Sequence, residues 1–473
     1  MKRFLLTLVL LIPFCAVIGS ASLSCRAEVK VGVCDWMILK RQKLGEFTLA
    51  KQLCAQGVEL DMGGLGKRDS FDNKLRDDAQ LAAFLQMADS VKVEIGAVAM
   101  SGFYGQSLIE KKSYRWLIED CLNTMERVKT PTVAFLPLGG CGNDWTTDKK
   151  KYSEVVKRLR VVGNMAAKRG KVIGIDTPLD AQGNLELLKK INSKGIKIFY
   201  KWQTATENGR DICQEIKTLG KDNICAFHAS NPDGVWLRDD KTINLKAIRQ
   251  TLQEMDWSGW MFVERSRDTT QVKNVKANYG DNVRYLKEVF GEVRFVLNET
   301  ASLDSGYVET ILKRAQKVTD ELGITGTAKG EDVLHLVANH YFNLNRIYES
   351  GEGNIKEQLY DNHFDFCANL ASVCTPEEVE KVKDVLTYNV RQVKYDAQID
   401  MIPTLNLEER QQLMTWLKEA REYAIDAKGS KEKHALFKKY MGRFSNWLSK
   451  RGYDIQKERQ MWGARVKAKG GKL

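Results

Sequence analysis

Eight short apolar runs, each followed by a polar or glycine-bearing turn and then a helical stretch, recur between Val29 and about Gly291. The runs are Val29–Val33, Val58–Leu60, Ile95–Ala99, Val133–Leu136, Val172–Ile175, Ile196–Phe199, Ile224–Phe227 and Met261–Val263. Between them apolar residues return at helical spacing. Ile212, Ile216 and Leu219 fall at i, i+4 and i+7 ahead of Gly220, while Leu245, Ile248, Leu252 and Met255 follow Asn244, a good helix N-cap. Eight strand–helix units in this span have the size and rhythm of an α/β fold, the (β/α)8 TIM barrel. An open doubly wound sheet is the alternative, but no G-x-G-x-x-G follows the first run.

After Gly291 the pattern becomes purely helical. Val308, Ile311, Leu312, Ala315 and Val318 run to Gly323; Thr375-Pro376-Glu377-Glu378 forms a capping box; Asn406 to Glu409 starts another helix; and Ser430 opens one that carries Leu436, Tyr440, Phe444 and Leu448. The expected layout is a barrel over 28–294, a polar linker over 295–306 and an all-α domain over 307–473. A length of 473 residues with 43% hydrophobic content and only 7 prolines suits such a two-domain globular chain.

The N-terminus reads as an export signal. Lys2-Arg3 precede an apolar run, Phe4 to Ile18, that is short for a bilayer, and cleavage after Ala27 leaves small residues upstream. Ser22-Leu23-Ser24-Cys25 resembles a lipobox, which offers a lipid anchor at Cys25 as a second outcome. The expected location is periplasmic or cell-surface. Eight cysteines would remain, none in a C-x-x-C pair, so free buried thiols are expected. The formal charge of +12 is spread through helices and concentrates only in the tail, at Arg465, Lys467, Lys469 and Lys472. No nucleic-acid motif is visible, and nucleic acid is not an expected partner.

Barrels of this class do their chemistry at the C-terminal strand ends. Four runs end there in polar groups: Asp176, the pair Tyr200-Lys201, His228 and Glu264. Asp35-Trp36, Phe103-Tyr104, Trp145, Trp202 and Trp236 also follow strands, and aromatic faces pack well on sugar rings. The expected substrate contacts are Asp35, Trp36, Tyr104, Trp202 and Arg265. The glycine loops Met62–Gly66 and Gly139–Gly142 would let backbone approach a ligand.

The first half resembles the xylose-isomerase-like barrel superfamily, which includes sugar isomerases and epimerases. The resemblance is carried by G-V-E-L-D (Gly57 to Asp61), I-G-I-D-T-P-L (Ile173 to Leu179), L-G-K-D-N-I-C-A-F-H (Leu219 to His228) and S-G-W-M-F-V-E (Ser258 to Glu264). It implies a divalent metal such as Mn or Zn, held by Glu, Asp, His and Glu after strands five to eight. Those positions hold Asp176, Lys201, His228 and Glu264 here. An ammonium at the Asp position removes a ligand oxygen and repels a cation. Either Asp176, His228 and Glu264 hold the metal alone, or Lys201 takes the metal's place. The resemblance makes Glu264, Lys201 and His228 the catalytic set; a Schiff base at Lys201 is a further option. The implied activity is isomerase, epimerase or lyase-like chemistry on an unphosphorylated carbohydrate, and the alternative is a non-catalytic glycan-binding or scaffolding protein.

The helical half, from Tyr307 to about Arg459, resembles an uncharacterised bacterial helical domain family found in exported proteins. The match rests on T-P-E-E-V-E-K-V-K-D (Thr375 to Asp384), L-T-Y-N-V (Leu386 to Val390) and the segment Trp416 to His434. It implies no activity, and a protein-partner or substrate-presenting role is the expectation. His335, His340 and His363 show no metal-ligand spacing.

Overall fold

The computed structural model describes residues 28–351, 353–468 and 470. The export signal and Cys25 lie outside the described residues. All eight apolar runs form parallel strands that close into one barrel in sequence order: β1 (Val29–Cys34), β2 (Gly57–Asp61), β3 (Glu94–Ala99), β4 (Val133–Pro137), β5 (Val172–Asp176), β6 (Ile196–Lys201), β7 (Ile224–Ala229) and β8 (Gly259–Val263). Closure comes from β1 pairing with β8, Val29 opposite Gly259 through Val33 opposite Val263. The open doubly wound sheet is thereby excluded.

Alternation along the strands sorts the side chains. Val31, Val33, Val58, Leu60, Ile173, Ile175, Met261 and Val263 face outward into the layer shared with the helices. Cys34, Phe135, Phe199 and Phe262 point inward, with Ala97, Ala99 and Ala226 filling the spaces between. The N-terminal end is plugged by Trp260. Gly57 and Gly96 leave it room, since a Cβ at either would lie 2.5 Å from its ring. Lys30 lies over that ring and pairs with Glu94 at 2.9 Å. Irregularities between Val58 and Glu59 and between Ile198 and Phe199 shift the register next to the site.

The caps read from sequence are present. The Asn244 side chain accepts from Ala247 N–H, and both bonds of the capping boxes at Thr375–Glu378 and Asn406–Glu409 are made. Ser430 is different: it is the first helical residue, and Gly429 is the N-cap with no side-chain bond. The helices after Asp304 enclose two apolar cores, one around Val318, Val337 and Leu370, the other around Leu413, Leu417 and Phe444.

The linker is tied down. Asp332 accepts from the backbone N–H of Arg294 and Phe295, His335 Nδ1 meets Phe295 O at 2.7 Å, and Asn339 bonds both Asn298 N and Val296 O. These three residues sit on successive turns of the helix Ala328–Ser350 and hold the connection along it. The barrel helix Leu245–Glu254 joins the same domain through Arg249 to Glu331 at 2.8 Å and Lys246 to Gly323 O at 2.9 Å. No helix among the described residues is long and apolar enough to cross a membrane.

The eight described cysteines are free. Cys34, Cys121, Cys141 and Cys374 are buried as expected of structural thiols, but Cys54 is exposed, carried outward by a left-handed turn with φ 66°.

Candidate active site

Glu264 follows β8 and is 3% exposed. Its carboxylate receives the Tyr104 hydroxyl at 2.9 Å on Oε1 and the Lys201 ammonium at 2.9 Å on Oε2. His228 Nδ1 stands 3.9 Å from that same Oε2. Burial works against the charge on Glu264, but the cations of His228 and Lys201 outweigh it and hold the carboxyl at about 2. Lys201 feels the reciprocal effect: burial opposes its charge, yet Glu264 and Asp176 leave its pKa above the ordinary lysine value. The buried pair is fully ionised.

His228 lies deeper, fully buried, with Phe135 and Phe199 rings each 4.5 Å from its own. Its Nε2 is bonded to Glu59 Oε2 at 2.8 Å, and the Cys34 thiol donates to the same oxygen at 3.2 Å. Burial disfavours the imidazolium, but the carboxylates of Glu59 and Glu264 hold its pKa above the usual histidine range. Glu59 was not singled out from the sequence. Its signal was present in G-V-E-L-D: one inward-facing acid within an apolar strand needs an interior partner.

Asp176, at the end of β5, is the odd member. Burial raises its carboxyl to about 6, with Lys201 pulling down and Glu264 pushing up. The neighbouring turn is capped by Thr177, whose hydroxyl accepts from Leu179 N and donates to Asn184, so Asp176 is free of that duty. It lines a crevice together with Thr177, Leu179, Tyr200 and Lys201. Trp36 is half-buried, edge-on to His228 at 6.3 Å between ring centres. Arg265 is exposed in a left-handed conformation, φ 54°, and lies close enough for its charge to act on Lys201.

The strand ends thus bring together Trp36, Tyr104, Asp176, Lys201, His228, Glu264 and Arg265, with Glu59 beneath. Two expected substrate contacts are corrected. Asp35 is fully buried and holds the first loop by accepting from Gln42 N at 3.0 Å and Asp61 N at 3.2 Å. Desolvation keeps both Asp35 and its neighbour Glu46 far above the ordinary carboxyl range, so they act as buried acids of the scaffold. Trp202 is also fully buried, packed on Phe227 in the layer between barrel and helices, because β6 ends one residue earlier and the chain turns outward there. Trp145 stacks on Tyr152 in that same outer layer, Phe103 packs on Phe71 there, and Trp236 is held by Asn278. The glycine loops serve the chain itself. A Cβ at Gly63 would lie 2.2 Å from Asp72 O, and one at Gly140 2.2 Å from Gln106 O.

The residues present fit a divalent cation poorly. The seat the family gives to a carboxylate holds the Lys201 ammonium, already 2.9 Å from the Glu264 oxygen that would coordinate. A second trio, Cys34, Glu59 and His228, has ligand atoms within 4.8 Å of one another. There the Glu59–His228 contact is direct, and burial with Glu59 beside it keeps the Cys34 thiol protonated, far above its ordinary pKa. In the helical half His363, Cys367 and Glu422 also approach one another, but Glu422 is already held by Lys383 at 2.6 Å and Arg421 at 3.1 Å.

A closed eight-stranded parallel barrel with polar groups gathered at its C-terminal strand ends defines the architecture of a TIM barrel. Residues 47–289 match the xylose isomerase-like TIM barrel model, and the chain belongs to that family. Residues 308–360 and 352–468 match a protein family of unknown function, DUF3826. Among solved structures, D-psicose 3-epimerase with D-fructose is similar at 13% identity and TM-score 0.44, covering 55% of this chain and 99% of that one. The 3-keto-D-glucoside 4-epimerase YcjR of E. coli is similar at 16% identity and TM-score 0.43, covering 55% and 99%. A xylose isomerase domain protein of Planctomyces limnophilus gives 13%, TM-score 0.41, 56% and 97%. No curated protein matches the chain.

Proposed function

We propose that the barrel catalyses proton transfer beside the carbonyl of an unphosphorylated carbohydrate, an isomerase- or epimerase-like reaction, with the Lys201 ammonium doing the electrostatic work that a divalent metal does in the family. The observation that carries this reading is the fixed, fully charged Lys201 beside Asp176, a carboxyl whose pKa of about 6 suits it to take and return a proton. Asp176 removes the proton from the carbon next to the carbonyl, and the electron pair moves onto the carbonyl oxygen. Lys201 stabilises the resulting enediolate oxygen in a water-poor site. Returning the proton to the neighbouring carbon, with the hydroxyl proton passing to the former carbonyl oxygen, gives the isomer; returning it to the same carbon gives exchange alone. Glu264, held at about 2, is too weak a base for this step, and its role is to keep Lys201 charged and aimed, with Tyr104 fixing its other oxygen. Trp36 and Arg265 stand at the mouth, where a ring face and hydroxyls would lie.

Incubating the protein with free keto-sugars and aldoses in D2O tests this directly. Expected is enzyme-dependent loss of a carbon-bound proton signal next to the carbonyl, unaffected by chelator. Sugar binding with no exchange under any condition would support the second reading, a glycan-binding protein with a retired site. That second reading is favoured by the Lys201–Glu264 closure itself.

The choice of an unphosphorylated substrate rests on export, which Met1 to Ala27 lead us to propose as well. N-terminal sequencing of the mature chain is expected to begin at Glu28; a chain that keeps Met1 in the cell's soluble interior would overturn it.

A further inference from the structure

The helical half contains a cleft of ≈ 180 Å³ among the helices Ser305–Leu322, Ala328–Ser350 and Ser430–Lys450. At roughly 30 Å³ per water, that is room for about six waters, the scale of one small ring with its substituents. Its inner wall carries Lys433, a lysine only 3% exposed. The ammonium donates to Tyr341 Oη at 3.2 Å and Leu386 O at 2.9 Å, both uncharged acceptors. Charges are rarely buried without a counter-charge, because leaving water costs more than neutral acceptors return. Around Lys433 the nearest carboxylate acts only from a distance: Asp426 favours its charge without a direct ion pair, while burial and Arg314 oppose it. Arg314 is a second cation, its guanidinium 5.7 Å from the centre of the Tyr341 ring. Asp426 lies behind the wall, held by His363 at 2.8 Å, and Glu349 at the rim is held by Lys428 at 3.3 Å. The lining itself carries Arg314, Lys428 and Lys433 against Glu349, so the cleft is positive on balance.

Two further features shape the cleft. The helix Ser430–Lys450 begins at this cleft with Gly429 as an N-cap that gives no side-chain bond, and the Glu432 carboxylate of its first turn lies beside Gly429. Four tyrosines, Tyr307, Tyr341, Tyr348 and Tyr388, also line it. The hydroxyls of Tyr307 and Tyr348 are committed to the backbone oxygens of Tyr341 and Asp426, which leaves their rings as what they offer. Tyr388 reaches the cleft from a left-handed residue, φ 58°, an uncommon conformation for an aromatic side chain.

We propose that this cleft binds a small carboxylated ring, of the kind a uronic sugar presents, with its carboxylate on Lys433 and Arg314 and its apolar face on the tyrosines. This assignment is independent of the chemistry assigned to the barrel. Burial and the neighbouring Arg314 lower the Lys433 pKa to about 8, and an incoming carboxylate would raise it again.

Calorimetric titration of the full chain with D-glucuronate, D-glucose and inorganic sulfate tests the proposal. Glucuronate is expected to bind, glucose to show no heat, and sulfate to bind at least tenfold more weakly. Loss of a charge-assisted hydrogen bond should weaken glucuronate about 10- to 100-fold in Arg314→Gln and in Lys433→Met. Thermal melts report whether each variant folds, and Arg314→Gln, at the exposed rim, carries the test alone if Lys433→Met does not. Sulfate binding as tightly as glucuronate would overturn the ring assignment. Equal binding of glucose, or unchanged affinity in folded Arg314→Gln, would overturn the site.

Discussion

Lys201→Met is expected to destabilise the barrel by about 3–5 kcal/mol at pH 7, because removing one partner of a buried ion pair leaves the other uncompensated. The pair is well shielded, with side-chain exposures of 10% for Lys201 and 4% for Glu264. The titration of Glu264 gives a comparable figure. Its carboxyl sits at about 2 in the folded protein against an ordinary 4.5, a gap of ~3.5 kcal/mol at ~1.4 kcal/mol per pH unit. Because the folded value is depressed, that contribution is fully present above about pH 4.5 and is lost as the pH falls toward 2. Wild type should therefore lose stability on acidification through this range. Lys201→Met should start lower and lose less there, since its Glu264 is already easier to protonate. Urea unfolding at pH 7 and at successively lower pH measures both effects. A variant within ~1 kcal/mol of wild type at pH 7 would mean that His228 alone suffices as counter-charge.

Asp176→Asn is expected to lower the exchange rate by a factor of ~10²–10⁴, the usual worth of a positioned acid or base, while leaving the protein folded. Among the described residues the carboxyl makes no hydrogen bond that Asn must replace, and burial holds its pKa at about 6. A raised carboxyl pKa means the folded protein holds the ionised form unwillingly above pH 6, so removing the charge should not lower the melting temperature at neutral pH. In wild type the rate should climb as the pH rises through about 6, where Asp176 becomes the carboxylate that accepts the proton. The variant should lose that limb. The measurement is the D2O exchange rate against pH for both proteins, with melts recorded on the same samples. A variant that retains its rate would remove Asp176 from the reaction and assign the base role to another group of the site.

The barrel was legible because it rests on repetition: eight apolar runs at strand length, each with helical spacing behind it, admit few architectures. Residues that end strands were legible for the same reason, and Lys201, His228 and Glu264 meet as their positions imply. What lay beyond the sequence was direction. Asp35 and Trp202 each follow a strand end by one residue, and that single step turns the side chain from the interior to the supporting layer. Glu59 was hidden by the opposite effect, an inward acid in the middle of a strand, whose partner His228 is 169 residues away in the chain. The pKa order inside the site was equally out of reach. Which carboxyl is held at about 2 and which at about 6 depends on distances to two cations, and no spacing in the chain encodes them.

The tied linker decides how this protein can be divided for study. Asp332, His335 and Asn339 belong by sequence to the helical half, yet their partners are the backbone groups of residues 294–298. A helical fragment cut at residue 307 would leave those three side chains facing water and bare the groove that Phe295 and Leu297 fill against the first helical core. Any separate expression of that half should therefore begin just after the last barrel helix, near Gly291, and carry the strap with it.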